Sequence, residues 1–561
     1  MKKAIDCLFI GHNEMDFPEY EKTIRKMGLD SGAYRDLSLN FFRYENRVYS
    51  TAGIYNVLRS SCHGANQSFQ PLNLGETFSA AIAYLGTFLN RRGFTFDYIN
   101  SFQDRKTQLA EKLTQLDILT IAVTTTYYIS ALPIIEIIDF ILQYNTTAKI
   151  IIGGPFIATQ IRNQDAVAIE YLFSATLRAD FYVNSSQGEA ALVEIIKALK
   201  NNLSFEHINN IYYKSNGRYI STPLRGETNV LSENMVDWDL FSHGVGEYAN
   251  VRTSKSCPFS CAFCGFPQHA GAYQTADVED VEEELKKLNR IKTLKSVHFI
   301  DDSFNVPPKR FKEILRMMIR NQFRFKWHSY FRCQFADRET VELMKESGCE
   351  GVFLGLESGN DQILKNMNKS ATRENYQRGI EVLKEYGIVT FGNFIIGFPG
   401  ETHETVQDTV AFIRKSGLDF YRTQLWYCEP ITPIWKEREK YKIRGESFEW
   451  SHKTMDFKQA CDLIEEIFLS SGQPIWVPQY NFDFDNLWHL VHRGMSIPQV
   501  GDFLNTFNEA VKEKFRNPKQ GDVSSQCLYQ LRKLCCGGND EDELTDAHQL
   551  LIDRLDTDFD F

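Results

Sequence analysis

Ser256-Cys257-Pro258-Phe259-Ser260-Cys261-Ala262-Phe263-Cys264-Gly265 sets three cysteines in a CxxxCxxC run, with an aromatic residue just ahead of the last. Soft thiolate ligands select iron–sulfur clusters, zinc or Cu(I). Structural zinc takes four protein ligands, commonly as paired CxxC motifs. Here there is no second CxxC, and no histidine follows until His269. Three cysteines leave one iron of a [4Fe–4S] cluster without a protein ligand, open to a small chelating molecule. A zinc knuckle, or a set of buried apolar thiols, is the competing reading.

Downstream of the cysteines the chain alternates between apolar strand patterns and helical periods. Strands are expected at 248–253, 296–300, 326–331, 351–354, 389–396 and 422–427, with helices at 278–289, 309–320, 338–347, 372–386 and 402–416. The strand ends carry polar or glycine residues: Asp301-Asp302, Arg332, Gly355-Leu356-Glu357 and Gly397-Phe398-Pro399-Gly400-Glu401-Thr402. Six such units define a partial (β/α)6 barrel over 240–435, whose chemistry belongs at the carboxyl ends of the strands. Taken singly, Asp301-Asp302 also suits a helix cap, and Glu357 a salt bridge within the barrel.

Upstream lies a second alternating stretch. A strand is expected at 6–10, a helix from Ala80 to Leu89, a strand at 94–99 and an apolar run over 113–123. Then come a helix at 132–144 and strands at 149–152 and 180–183. Alternation of this kind gives a doubly wound parallel sheet, which binds ligands beyond the carboxyl ends of its strands. Those ends are Thr124-Thr125-Thr126-Tyr127, Gly153-Gly154-Pro155 and Gln187-Gly188-Glu189. No GxGxxG marks a dinucleotide site. The fold class is therefore α/β: a domain at 1–225 with an irregular, aromatic-rich insertion at 20–70, the barrel, and a mainly helical cap at 436–561. That cap ends in an acidic tail from Asp540. Cys535-Cys536 has no metal-binding spacing and reads as a pair of ordinary thiols.

Composition bounds the rest. The 561 residues are 43% hydrophobic and 24% charged, with a net charge of −11. Such a balance gives no basic surface for nucleic acid or an anionic membrane. The N-terminus is interrupted by Asp6 and lacks the pattern of a secretory signal. No apolar run reaches the length of a membrane span. Twelve irregularly spaced cysteines fit a reducing cytoplasm.

The CxxxCxxC run followed by these strand ends resembles the signature of the radical S-adenosylmethionine (SAM) enzymes. The upstream domain is similar to that of their cobalamin-dependent, methyltransferase-type members. The resemblance implies a [4Fe–4S] cluster on Cys257, Cys261 and Cys264, with SAM chelating the open iron. It places Phe263 against adenine and Asp301 and Asp302 at the amino group. It sets Arg332 and Glu357 at the carboxylate and ribose, and the Gly397 turn near adenine. Thr124, Thr125, Thr126, Tyr127, Gly153, Gly154, Gln187, Gly188 and Glu189 would surround cobalamin. The DxHxxG motif that supplies a histidine to cobalt in many cobalamin proteins is absent, so the lower face of the metal is undefined.

The activity so implied is methylation of an unactivated carbon, or of phosphinate phosphorus, through methylcobalamin and a 5′-deoxyadenosyl radical. The runs Gly11-His12-Asn13-Glu14-Met15-Asp16-Phe17 and Ser31-Gly32-Ala33-Tyr34-Arg35-Asp36-Leu37 resemble the P-methyltransferase branch. Partners would be a small-molecule or peptide natural-product substrate and a flavodoxin, ferredoxin or reductase electron donor. Non-methylating cyclisation or oxidation, and a non-catalytic iron–sulfur or zinc sensor, are the rival functions.

Overall fold

The computed structural model describes residues 2–62, 70–478, 480, 482–517 and 521–536. The tail expected from Asp540 lies outside them. The chain divides into two compact units. One comprises Met1–Met15, Leu74–Val352 and Ile431–Pro433; the other comprises Asp16–Asn73, Phe353–Pro430 and Ile434–Phe561.

The first unit holds a seven-stranded sheet in the order Arg218–Ser221, Ile211–Ser215, Phe181–Val183, Lys149–Gly153, Leu116–Thr124, Lys3–His12, Phe96–Ser101. Its last five strands are parallel, and a hairpin extends it antiparallel. The parallel part has the flavodoxin-like order 2-1-3-4-5, so its topological switch point falls between Lys3–His12 and Leu116–Thr124. The central strands are apolar on both faces because helices cover both. Leu8, Ile10, Ile121 and Ile152 are fully buried, packed with Ile134, Ile137, Ile138 and Ile141 of helix Leu132–Tyr144. The apolar run expected at 113–123 is split: helix Lys106–Gln115 ends as strand Leu116–Thr124 begins.

The same unit contains a parallel series, Thr77–Phe78, Tyr248–Val251, Ser296–Phe299 and Lys326–Phe331, alternating with helices Val278–Arg290 and Pro308–Asn321. The strand Cys349–Glu357 carries the chain into the second unit. There Val389–Ile396, Phe420–Leu425 and Ile475–Trp476 continue in parallel.

Two expectations are corrected in the second unit. The described part of the segment 20–70 is not irregular. It forms helices Phe17–Arg25, Gly32–Ser38 and Thr51–Ser61 and a hairpin of Phe41–Tyr44 with Arg47–Ser50. Its aromatics pack on distant chain: Phe42 lies 5.5 Å from Phe507 and Tyr55 lies 5.9 Å from Phe503, ring centre to centre. Nor is Cys536 an ordinary thiol. It is joined to Cys62 by a disulfide, the Cα atoms 5.8 Å apart, because helices Thr51–Ser61 and Ser525–Cys536 lie together. Among the described residues the C-terminal region is helical apart from strand Ile475–Trp476 and a three-stranded antiparallel sheet over Arg444–Glu446, Glu449–His452 and Met455–Asp456.

Candidate cofactor site

Cys257, Cys261 and Cys264 sit on a tongue closed at its base by a short antiparallel ribbon, Ser254–Lys255 with Gln274–Thr275. Cys261 is buried, and the other two are half-buried. Their sulfurs do not converge within 4.8 Å of one another. A single tetrahedral zinc with Zn–S bonds of about 2.3 Å would draw them to about 3.8 Å. Burial pushes the Cys264 thiol up to about 12, so it gives up its proton only to a metal.

Asp301 fixes this tongue. The carboxylate is buried and accepts from Thr253 N (2.9 Å), Thr253 Oγ1 (3.0 Å), Ser254 Oγ (2.7 Å) and Ser254 N. Burial raises its acid, while the bonds from Ser254 and Thr253 oppose that rise. Arg310 holds the same turn, donating to Thr253 O (3.0 Å) and Ala276 O (2.8 Å). With its acceptors engaged, Asp301 holds the base of the tongue in place. Asp302 keeps contact with solvent, yet the protein packed around it, and then the Asp301 charge, push its acid up to about 7. Ser303 Oγ lies 3.4 Å from Cys257 Sγ. Arg332 stacks its guanidinium 3.5 Å above the Phe259 ring within the tongue, and its N–H donates to Asn305 Oδ1 at 3.0 Å. Phe263 is half-buried between Cys261 and Cys264.

A helix of the doubly wound domain touches the helix that follows this tongue, inside the same unit. Arg162, in the helix after Gly153-Gly154, donates to His269 Nδ1 at 2.8 Å, and His269 belongs to the helix after the cysteines. Thr125 is buried and donates through N and Oγ1 to Gly153 O, both at 3.0 Å. Gly154 has φ +117°, and a Cβ there would stand 2.7 Å from Thr125 Oγ1. Glycine is thus demanded by the turn itself, not only by the approach of a cofactor. Gly188 has φ +82° and starts helix Glu189–Asn201. Thr124 is half-buried, while Thr126 and Tyr127 are exposed at the strand end.

His12 and Tyr128 were given no place at the cofactors from the sequence. His12 ends the central strand at the switch point, its ring 4.7 Å from that of Tyr127, and burial lowers it to about 4, so it is neutral. Tyr128 OH accepts from Asn13 N (2.8 Å) and donates to Gly11 O (3.1 Å). The switch-point rule would have found both had the strand order been known.

In the second unit, Glu357 is buried with φ +67° and accepts from Lys369 Nζ at 2.8 Å and Asn393 Nδ2 at 3.3 Å. The salt bridge weighed for it is the arrangement found. Gly397 has φ +94°, and a Cβ there would stand 2.7 Å from Trp450 Cζ2. Gly397 N–H donates to Glu401 Oε2 at 2.6 Å. Burial pushes the Glu401 acid up to about 8.

Residues 251–413 match the Radical SAM superfamily. The chain thus carries a radical SAM domain, and its relatives include proteins named as methyltransferases, in keeping with the resemblance read from the sequence. A protein of Pyrococcus horikoshii named as an uncharacterized methyltransferase is 27% identical over 329 residues, 57% of this chain and 69% of that protein. The methyltransferase TsrM of Kitasatospora setae, solved with cobalamin and a [4Fe–4S] cluster, superposes with TM-score 0.54 at 20% identity, covering 66% of this chain and 75% of its own. The cobalamin-dependent SAM radical enzyme OxsB, solved with aqua-cobalamin and SAM, superposes with TM-score 0.56 at 13% identity, covering 91% and 87%. The cluster, SAM and cobalamin are the three cofactors read from this sequence. Among the described residues no helix is long and apolar enough to cross a membrane.

Proposed function

We propose that this chain is a cobalamin-dependent radical SAM methyltransferase acting on an unactivated carbon or a phosphinate phosphorus of a natural-product intermediate. The observation that supports it is the contact, within one unit, between the helix that follows the three-cysteine tongue and a helix of the flavodoxin-ordered domain. When bound, the cluster supplies an electron for SAM cleavage and cobalamin carries the methyl group. The protein binds, orients and excludes water. Cys257, Cys261 and Cys264 would hold the cluster, with Asp301 and Arg310 fixing their tongue and Arg332 packed on it. Thr124–Tyr127, Gly153-Gly154 and Gln187–Glu189 would line the cobalamin pocket. By the resemblance, Glu357 and Gly397 would contact SAM. A flavodoxin or ferredoxin would deliver the electron.

The test is anaerobic reconstitution with iron, sulfide and hydroxocobalamin, followed by quantitation of 5′-deoxyadenosine, S-adenosylhomocysteine and product. Methyl transfer adds about 14 Da to the substrate, because the group moved is CH3 in place of H. A product without that gain points to ring formation or oxidation. A protein that never cleaves SAM sinks the enzyme reading itself.

A further inference from the structure

The segment 225–231 links the two βα series of the first unit and carried no expected site. It folds onto the Gln187–Glu189 turn. Glu227 Oε2 accepts from Ala190 N (2.9 Å) and Asn229 Nδ2 (3.0 Å). Asn229 also donates to Glu189 Oε2 at 3.3 Å, and Asn229 O accepts from Gln187 Nε2 at 3.3 Å. The other half of each group is left over. Glu227 Oε1 and Gln187 Oε1 are both buried and have no hydrogen-bond partner among the described residues. Native proteins rarely bury acceptors unpaired, since each costs about 1–3 kcal/mol.

Two cations stand beside these acceptors without closing on them. Arg252 and Lys255 lie on the approach to the cysteine tongue, near enough for Lys255 to feel Glu189 and Glu227, and for Arg252 to feel Glu189. Neither makes a hydrogen bond to the carboxylates, and Arg252 Nε is itself buried and unpaired. Among these four groups the charges balance, two against two, while Arg252 also feels Asp301 and Glu284. The missing partner is thus a neutral group that donates to Glu227 and Gln187 and accepts from the cationic side. A primary carboxamide does both, and the rim of the corrin ring is decorated with primary carboxamides.

We propose that Glu227 Oε1 and Gln187 Oε1 form a carboxamide subsite for the corrin rim, making the linker a third wall of the cobalamin pocket. This rests on the cobalamin reading above. Glu227 is a positioning residue for the cofactor and takes no part in bond making.

The test is equilibrium binding followed by absorbance, on whole chain with its cluster reconstituted. Hydroxocobalamin affinity should fall about tenfold or more in Glu227→Ala, the worth of a hydrogen bond to a charged acceptor. Glu227→Gln keeps an acceptor for Ala190 N–H and serves as the folding control, with iron content checked in every protein. The deciding pair is cobinamide, which keeps the carboxamides, and cobyrinic acid, which carries carboxylates instead; both lack the nucleotide tail. Wild-type protein should prefer cobinamide, because a carboxylate would face Glu227, and Glu227→Gln should narrow that preference. A preference that stays at its wild-type value in Glu227→Gln overturns the subsite. Wild-type protein that binds no corrinoid overturns the cobalamin reading beneath it as well, so the two failures are distinguishable.

Discussion

Replacing Asp301 by alanine should strip the cluster from the protein rather than merely weaken SAM binding. The buried carboxylate takes the N–H groups of both Thr253 and Ser254, together with their hydroxyls. Alanine leaves two backbone donors buried and unpaired, at about 1–3 kcal/mol each, so about 2–6 kcal/mol in all. That is a large part of the about 5–15 kcal/mol that holds a typical domain together. The hydroxyls can turn to new acceptors, but the amides cannot. The tongue base loses its anchor, and Cys257, only a few residues on, moves with it. Asp301→Asn keeps one carbonyl for the amides and should lie between wild type and alanine. The assay is iron and sulfide per chain after anaerobic reconstitution, with the urea midpoint and SAM affinity measured on the same samples. Full iron and an unchanged midpoint, with SAM affinity lost, would refute the positioning role and return Asp301 to the SAM amino group.

The remaining outcomes follow from other residues. Changing Cys257, Cys261 and Cys264 together to Ala should abolish the cluster and SAM cleavage, read by iron analysis and 5′-deoxyadenosine. Gly154→Leu meets both a positive φ and Thr125, so it should lose hydroxocobalamin uptake and methylated product while still cleaving SAM; product at wild-type yield from cobalamin-free protein would end the methyl-relay reading. Glu401 is held about 8 by burial, above the ordinary 4.5. Its stabilising protonated form is fully present below 4.5 and lost as pH rises through 8, so stability should decline across that window. Glu401→Gln should flatten the decline, as followed by melting temperature against pH. Thiol alkylation in denaturant without reductant should leave Cys62 and Cys536 unmodified, and equal labelling of all twelve cysteines would remove that link.

Local pattern made much of this architecture legible. Helices Val278–Arg290, Arg373–Glu385 and His403–Lys415 carry apolar stripes at helical spacing, and their ends fall within a residue of the expected ones. The cysteines were legible because spacing alone restricts their chemistry. What escaped depends on contacts distant in sequence. Helix Thr51–Ser61 is defined as much by Phe503 and Cys536 as by its own residues. The donors to Asp301 were invisible because Thr253 and Ser254 reach it only once two strands are side by side. Glu357 and Gly397 were visible as unusual residues at strand ends. Their partners Lys369, Asn393 and Trp450 were not, since nothing in the intervening spacing joins them.

The second unit draws on chain from both ends of the molecule, and this bears on how it is made. Residues Asp16–Asn73 leave the ribosome well before helix Ser525–Cys536, which packs on Thr51–Ser61. About 450 residues separate them, a delay on the order of half a minute to a minute and a half at about 5–20 residues per second. Through that interval the faces of Phe42 and Tyr55 later covered by Phe507 and Phe503 stand open to water or a chaperone. Premature termination anywhere before helix Ile497–Arg516 leaves those faces bare for good. The yield of intact enzyme is then set by how well the nascent chain is shielded, a constraint that no cofactor added afterwards can relieve.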